Sequence, residues 1–170
     1  MQYTDIFELS RARAEICGTF AGSDLPALMS MLDEEMGEAS VSWRAQGTAG
    51  RNDLPGADLE LCARIQTRCV RCGEPVVIEI DKVVPFLFVQ NEKEANDIPI
   101  EEDGDYEIVV GSRKFDLAAW VEEELILSLP VFAQHDDCQP DQERMHTKQV
   151  EKKEERASPF ACLASLKTKK

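Results

Sequence analysis

No segment of this chain holds about 18 consecutive apolar residues, and the opening Met1-Gln2-Tyr3-Thr4-Asp5-Ile6 has no basic stretch leading into an apolar one. Neither a membrane-spanning helix nor a secretory leader is therefore expected, and the location should be cytoplasmic. Positive charge is scarce: 19 Lys and Arg stand against 33 Asp and Glu, a net charge of −14, with a pI near 4.5. A field of that sign repels phosphate backbones, so the bulk surface should not bind nucleic acid non-specifically, and DNA is not an expected partner. It suits a basic partner instead. No internal repeat is visible. No Ser, Cys or His stands near the carboxylate-rich stretches in a recognisable catalytic arrangement, so no catalytic residue is assigned and an enzyme is not expected.

What is present fits one domain with tails. At 170 residues the chain is long enough for a single core, and its 31% charged content points to polar sequence outside that core. Asp5 to Arg13 reads as a short helix and Ala14 to Phe20 as a brief strand. Ser23 or Asp24 can cap a helix over 25–36, with Leu25, Leu28, Met29, Leu32 and Met36 at helical spacing and Gly37 after its end. Val41, Trp43, Ala45 and Gly47 alternate with polar residues, as do Leu59, Leu61, Ala63 and Ile65, and a third run leads from Val76 to Phe88. The stretch Asn91 to Tyr106 is acidic and reads as a solvated loop, followed by a strand at 106–111. Asp116 caps a helix over 117–128 that Leu129-Pro130 stops, with Trp120 on its apolar side and Glu122, Glu123 and Glu124 on a solvated face. The fold class is α+β: an antiparallel sheet of strands near 40–50, 57–69, 75–90 and 106–111, packed by two main helices. Trp43 and Trp120 are expected to pack in its core.

The two longest strand patterns meet at Cys69-Val70-Arg71-Cys72-Gly73, which places a C-x-x-C at a hairpin tip with a glycine to permit the tight turn. A tetrahedral metal needs four N or S ligands, and Cys69, Cys72, His135 and Cys138 are the set arranged as two close pairs. Two readings stay open: a structural zinc that clamps the hairpin to the segment leaving the main helix, or a knuckle without metal in which Asp136 and Asp137 cap a turn. A dithiol redox centre would sit at a helix N-terminus, where the dipole stabilises thiolate, and no such pattern surrounds these cysteines. The remaining Cys17, Cys62 and Cys162 are expected to be reduced. Arg71 is free in principle to meet a phosphate or the acidic loop.

From Gln139 to Ala157 the sequence is charged, mixed in sign and poor in large apolar residues, and reads as a flexible linker. Ser158-Pro159 then opens a short amphipathic helix carrying Phe160, Leu163 and Leu166, with Lys167, Lys169 and Lys170 as a basic tip. The expected organisation is a domain over 1–138, a linker over 139–157 and a terminal helix over 158–170. That helix either folds back or docks on a partner, with the second favoured.

Three stretches together, "LCARIQTRCVRCGEPVVIEI", "FDLAAWVEEELILSLPVFAQHDDC" and "SPFACLASLK", resemble the YceD family, the large ribosomal RNA subunit accumulation proteins of bacteria and plastids. The resemblance runs from about Leu25 to the end of the chain. It implies a part in the synthesis, processing or stability of large-subunit (23S) ribosomal RNA, with no established catalytic residue. Some members resemble a fuller metal pattern, with a second cysteine pair where this chain has His135 and Cys138. The implied partners are a large-subunit precursor, a ribosomal protein, ribosomal RNA or more than one of these. The alternatives are a thiol redox or RNA-processing enzyme, or an acidic chaperone for one basic ribosomal protein.

Overall fold

A computed structural model of the chain describes residues 3–35, 37–50, 54–99 and 106–140. The chain divides into two units, Met1–Cys138 and Gln139–Lys170, and the features below belong to the first. In order they are β1 (Tyr3–Thr4), α1 (Ile6–Ala12), β2 (Glu15–Ala21), a 3-10 turn (Gly22–Asp24), α2 (Pro26–Met31), β3 (Glu38–Ala49), β4 (Pro55–Arg68), β5 (Pro75–Val89), α3 (Glu92–Asp97), β6 (Glu107–Val110), β7 (Phe115–Asp116) and α4 (Leu117–Ser128).

Strict alternation makes the sheet one-sided. Along β3 and β4, Val41, Trp43, Ala45, Leu59, Leu61 and Ile65 are buried, while Arg44 pairs with Glu60 on the outer face. The five strands lie in the order β2-β3-β4-β5-β6, and β1 pairs separately with β7. Helices α1, α2 and α4 contribute Ile6, Leu9, Leu28, Trp120, Val121 and Leu125 to the core on the inner face. There Trp120 meets Phe86, Phe88 and Phe115 edge-on, with ring centroids 4.9, 5.9 and 5.5 Å away. Trp43 and Trp120 are thus core residues.

The α+β class and the hairpin tip match expectation, and four details correct it. The sheet is mixed: β6 runs parallel to β5, in the register Phe86↔Glu107 to Val89↔Val110. The intervening segment holds α3, whose first turn is capped by the Asn91 side chain accepting from the Glu94 amide at 3.0 Å, so part of the expected acidic loop is helical. A long connection of this kind lets a strand return in the same direction.

Helix α2 is also shorter than expected. Asp24 is not its cap, because its carboxylate accepts from the Ala21 amide at 3.0 Å. The cap comes from α4: Glu122 Oε1 accepts from the amides of Ala27 and Leu28 at 2.7 and 3.0 Å. Leu32 is extended, and Asp33 engages Arg68 at the end of β4 through Nε at 2.7 Å. Met36 lies outside the described residues.

Finally, the glutamate triplet on α4 is not a uniform solvated face. Glu123 is exposed and Glu122 is the cap just described, while Glu124 is buried against the sheet and ion-pairs with Lys82 of β5. Lys82 stands opposite the buried Leu61 in the β4–β5 register, which puts its ammonium on the helix-covered side.

A candidate metal centre at the hairpin tip

The longest hairpin, β4 to β5, turns through the knuckle. Cys69 N donates to Glu74 O at 2.8 Å and Gly73 N donates to Cys69 O at 3.0 Å. Gly73 has φ of 82°, a left-handed conformation that disfavours residues with a Cβ, which is why the turn closes on glycine. Arg68, at the end of β4, donates from Nη1 to Gly73 O at 3.1 Å while its other nitrogens hold Asp33 and Glu35. The hydrogen bond to Asp33 is the main cause that raises its pKa.

Leu129-Pro130 ends α4 in extended geometry, and the chain then crosses the knuckle. Val70 N donates to Ala133 O at 2.9 Å. Arg71 donates to Cys138 O at 3.1 Å, to Gln134 Oε1 at 3.0 Å and to Asp136 O at 3.4 Å. Its guanidinium therefore knits the crossing segment to the hairpin.

This crossing brings the two predicted pairs together. Donor atoms of Cys69, Cys72, His135 and Cys138 all lie within 4.8 Å of one another. Cys69 Sγ is 3.6 Å from Cys138 Sγ, and Cys72 Sγ is 3.4 Å from His135 Nδ1. A tetrahedral ion with metal–sulfur bonds of about 2.3 Å and metal–nitrogen bonds of about 2.0 Å sets S···S and S···N edges of roughly 3.8 and 3.6 Å. Both close contacts sit near those edges.

The histidine tautomer is fixed by its other nitrogen. Nε2 is 3.0 Å from the carbonyl oxygen of Pro75, which can only accept, so Nε2 carries the proton and Nδ1 turns its lone pair to the sulfurs. Burial alone would push the Cys69 thiol up, but the backbone amides of Cys72, His135 and Arg71 outweigh it and hold Cys69 down at about 5. Burial, followed by hydrogen bonding to Cys69 and Cys72, pushes the Cys138 thiol up. Three sulfurs beside an oriented imidazole are a soft donor set, and these four residues could hold a metal ion.

Of the other residues singled out in the sequence, Phe160, Leu163, Leu166, Lys167, Lys169 and Lys170 lie outside the described residues, as do Cys162 and all but the first two positions of the linker. Cys17 and Cys62 are exposed free thiols, and burial followed by the neighbouring Asp81 raises the pKa of Cys62. Sequence reasoning missed Arg68 as the support of the knuckle turn; its position beside Cys69 is the only signal that could have marked it. Among the described residues no helix is long and apolar enough to cross a membrane.

Fold and site together define an α+β domain whose hairpin knuckle carries a closed cluster of four soft donors. The chain belongs to the YceD family: the family model, described as "Large ribosomal RNA subunit accumulation protein YceD", matches residues 57–167, which include most of β4, the knuckle, α4 and the crossing segment. The family's name ties it to accumulation of large-subunit ribosomal RNA rather than to a catalysed reaction. No solved structure matches the chain.

Proposed function

We propose that the protein is a non-enzymatic cytoplasmic factor in large ribosomal subunit biogenesis, sustaining the synthesis, processing or stability of 23S ribosomal RNA. The observation that carries this reading is the family match over residues 57–167. Its partner is a large-subunit precursor, reached through a ribosomal protein, the RNA or both. Within that role Cys69, Cys72, His135 and Cys138 hold a structural zinc.

A zinc with four protein ligands supplies a cross-link and leaves no open coordination position for substrate. The chain's own residues fit that use: Gly73 permits the turn, the Pro75 carbonyl orients His135, and Arg71 and Arg68 brace the two segments. The burial of Cys69 weighs against a thiol redox enzyme, whose attacking sulfur must be reached by its substrate. Residues 1–138 form the domain, 139–157 a linker, and 158–170 a tethered contact in which Phe160, Leu163 and Leu166 meet the partner and the terminal lysines add local positive charge.

The test is recovery from cell lysate with full-length protein and with a version ending at Gln139, each with and without ribonuclease. Large-subunit RNA and proteins should accompany the full-length chain and diminish on truncation. Recovery of neither by the full-length protein would refute the assignment.

A further inference from the structure

At the end of the sheet away from the knuckle, an open cleft of about 890 Å³ is lined by Asp5, Phe7, Ser10, Arg11, Arg13 and Arg113, among others. Its walls are joined before any ligand arrives. Ser10 is buried, donates to Thr48 O at 2.8 Å and accepts from Gly56 N at 2.9 Å, which fixes α1 to the β3–β4 end. Ile6 N donates to Ser112 O at 3.3 Å, and Gly111 lies so close to α1 that a Cβ there would stand 2.8 Å from both Ile6 and Phe7. The loop bearing Arg113 is thereby held against the helix bearing Arg11.

Three arginines from two separate parts of the chain line one concavity of a molecule that carries −14 overall. Asp5, the one carboxylate in the lining among the described residues, already accepts from the amides of Phe7 and Glu8 as the α1 cap. Arg11 pairs with Glu8 at 2.5 Å, but both side chains are largely exposed, and such a pair exchanges readily for a phosphate. Arg13 and Arg113 are exposed and have no ion-pair partner among the described residues. By contrast, Arg44, Arg68 and Lys82 each face a carboxylate.

We infer that this cleft is a seat for the phosphodiester backbone of single-stranded RNA, so that the protein touches its RNA directly through Arg11, Arg13 and Arg113. This deepens the proposed role in ribosomal RNA metabolism and rests on it for the identity of the RNA. The opening admits a chain rather than enclosing a small molecule, and the planar forks of arginine suit phosphate oxygens. Against the repulsive field of the whole protein, three cations give local, salt-sensitive binding and carry no base readout.

The experiment is fluorescence anisotropy of a labelled 12-nucleotide single-stranded RNA titrated with full-length protein over a range of salt. With three phosphates neutralised, log K should fall against log salt with a slope of about −2. R13Q/R113Q, checked for an unchanged melting temperature, should reduce the slope by about 1.4 and weaken binding roughly tenfold at low salt. R44Q, on the outer sheet face, should match wild type. Unchanged binding by R13Q/R113Q, absence of saturable binding by wild type, or equal competition by inorganic phosphate at matched ionic strength would each overturn the inference. Recovery from lysate separates the two claims. If R13Q/R113Q binds the 12-mer like wild type and still recovers large-subunit components, the cleft fails and the biogenesis role stands. If wild type recovers none while R13Q/R113Q loses the 12-mer, the cleft stands and that role fails.

Discussion

The strand β4, 14 residues long, has the knuckle beyond one end and the arginine cleft at the other, about 45 Å apart if fully extended. At the knuckle the donor groups turn toward one another: three sulfurs and an imidazole converge, Arg71 meets the crossing segment, and Arg68 holds the turn. At the cleft, Arg13 and Arg113 face solvent without an ion-pair partner among the described residues. The same residue type serves opposite ends because its partners differ. Arginine ringed by carbonyls and carboxylates braces the fold, while arginine left in an open cleft is available to a ligand.

The contrast predicts where substitution damages stability. If the knuckle holds the proposed zinc, the largest effect should follow its chelation or C72S. If zinc stands at 1,000 times its Kd, its removal withdraws about 4 kcal/mol, read as a fall in melting temperature of roughly 10 °C in calorimetry. Hydrogen exchange should rise at Val70 and Gly73 while Gly47 and Gly56 keep their protection. A uniform rise would erase the distinction between the ends.

Next comes K82M, which leaves Glu124 buried with its ion-pair partner removed. It should cost about 3 kcal/mol by urea denaturation, and K82M/E124L should recover much of that loss. E122A removes the cap that α4 lends to α2 and should cost about 1 kcal/mol. A loss near 3 kcal/mol would mean that Glu122 supports more than the amides of Ala27 and Leu28. The smallest effect should be that of R13Q/R113Q, within about 0.5 kcal/mol of wild type in the same assay. A larger loss would place these arginines with the bracing set.

Much of this was legible because the responsible signals are local. Alternation located β3, β4 and β5, Asp116 marked the start of α4, and the glycine after Cys72 marked the turn. The meeting of Cys69 and Cys72 with His135 and Cys138 could be posed as a donor count, although only the crossing after Pro130 shows how the pairs meet. Other features depend on partners distant in sequence. The four residues of β6 do not encode a direction, so its parallel pairing was not readable. Glu124 looks like its exposed neighbour Glu123 until Lys82 is placed beneath it. The α2 cap was sought in Ser23 or Asp24 because capping rules look along the chain, whereas the carboxylate comes from α4. The cleft was invisible for the same reason, since Arg13 and Arg113 are joined only by the docking of α1 against Gly111 and Ser112.

Whether the knuckle is the closed metal clamp proposed above can be read from zinc content and X-ray absorption on the full-length protein. One zinc per chain is expected, with three sulfur ligands at about 2.3 Å and one nitrogen at about 2.0 Å, and loss of that zinc in both C69S and H135A. Zinc well below one per chain after purification without chelator, or zinc retained by both variants, would contradict it.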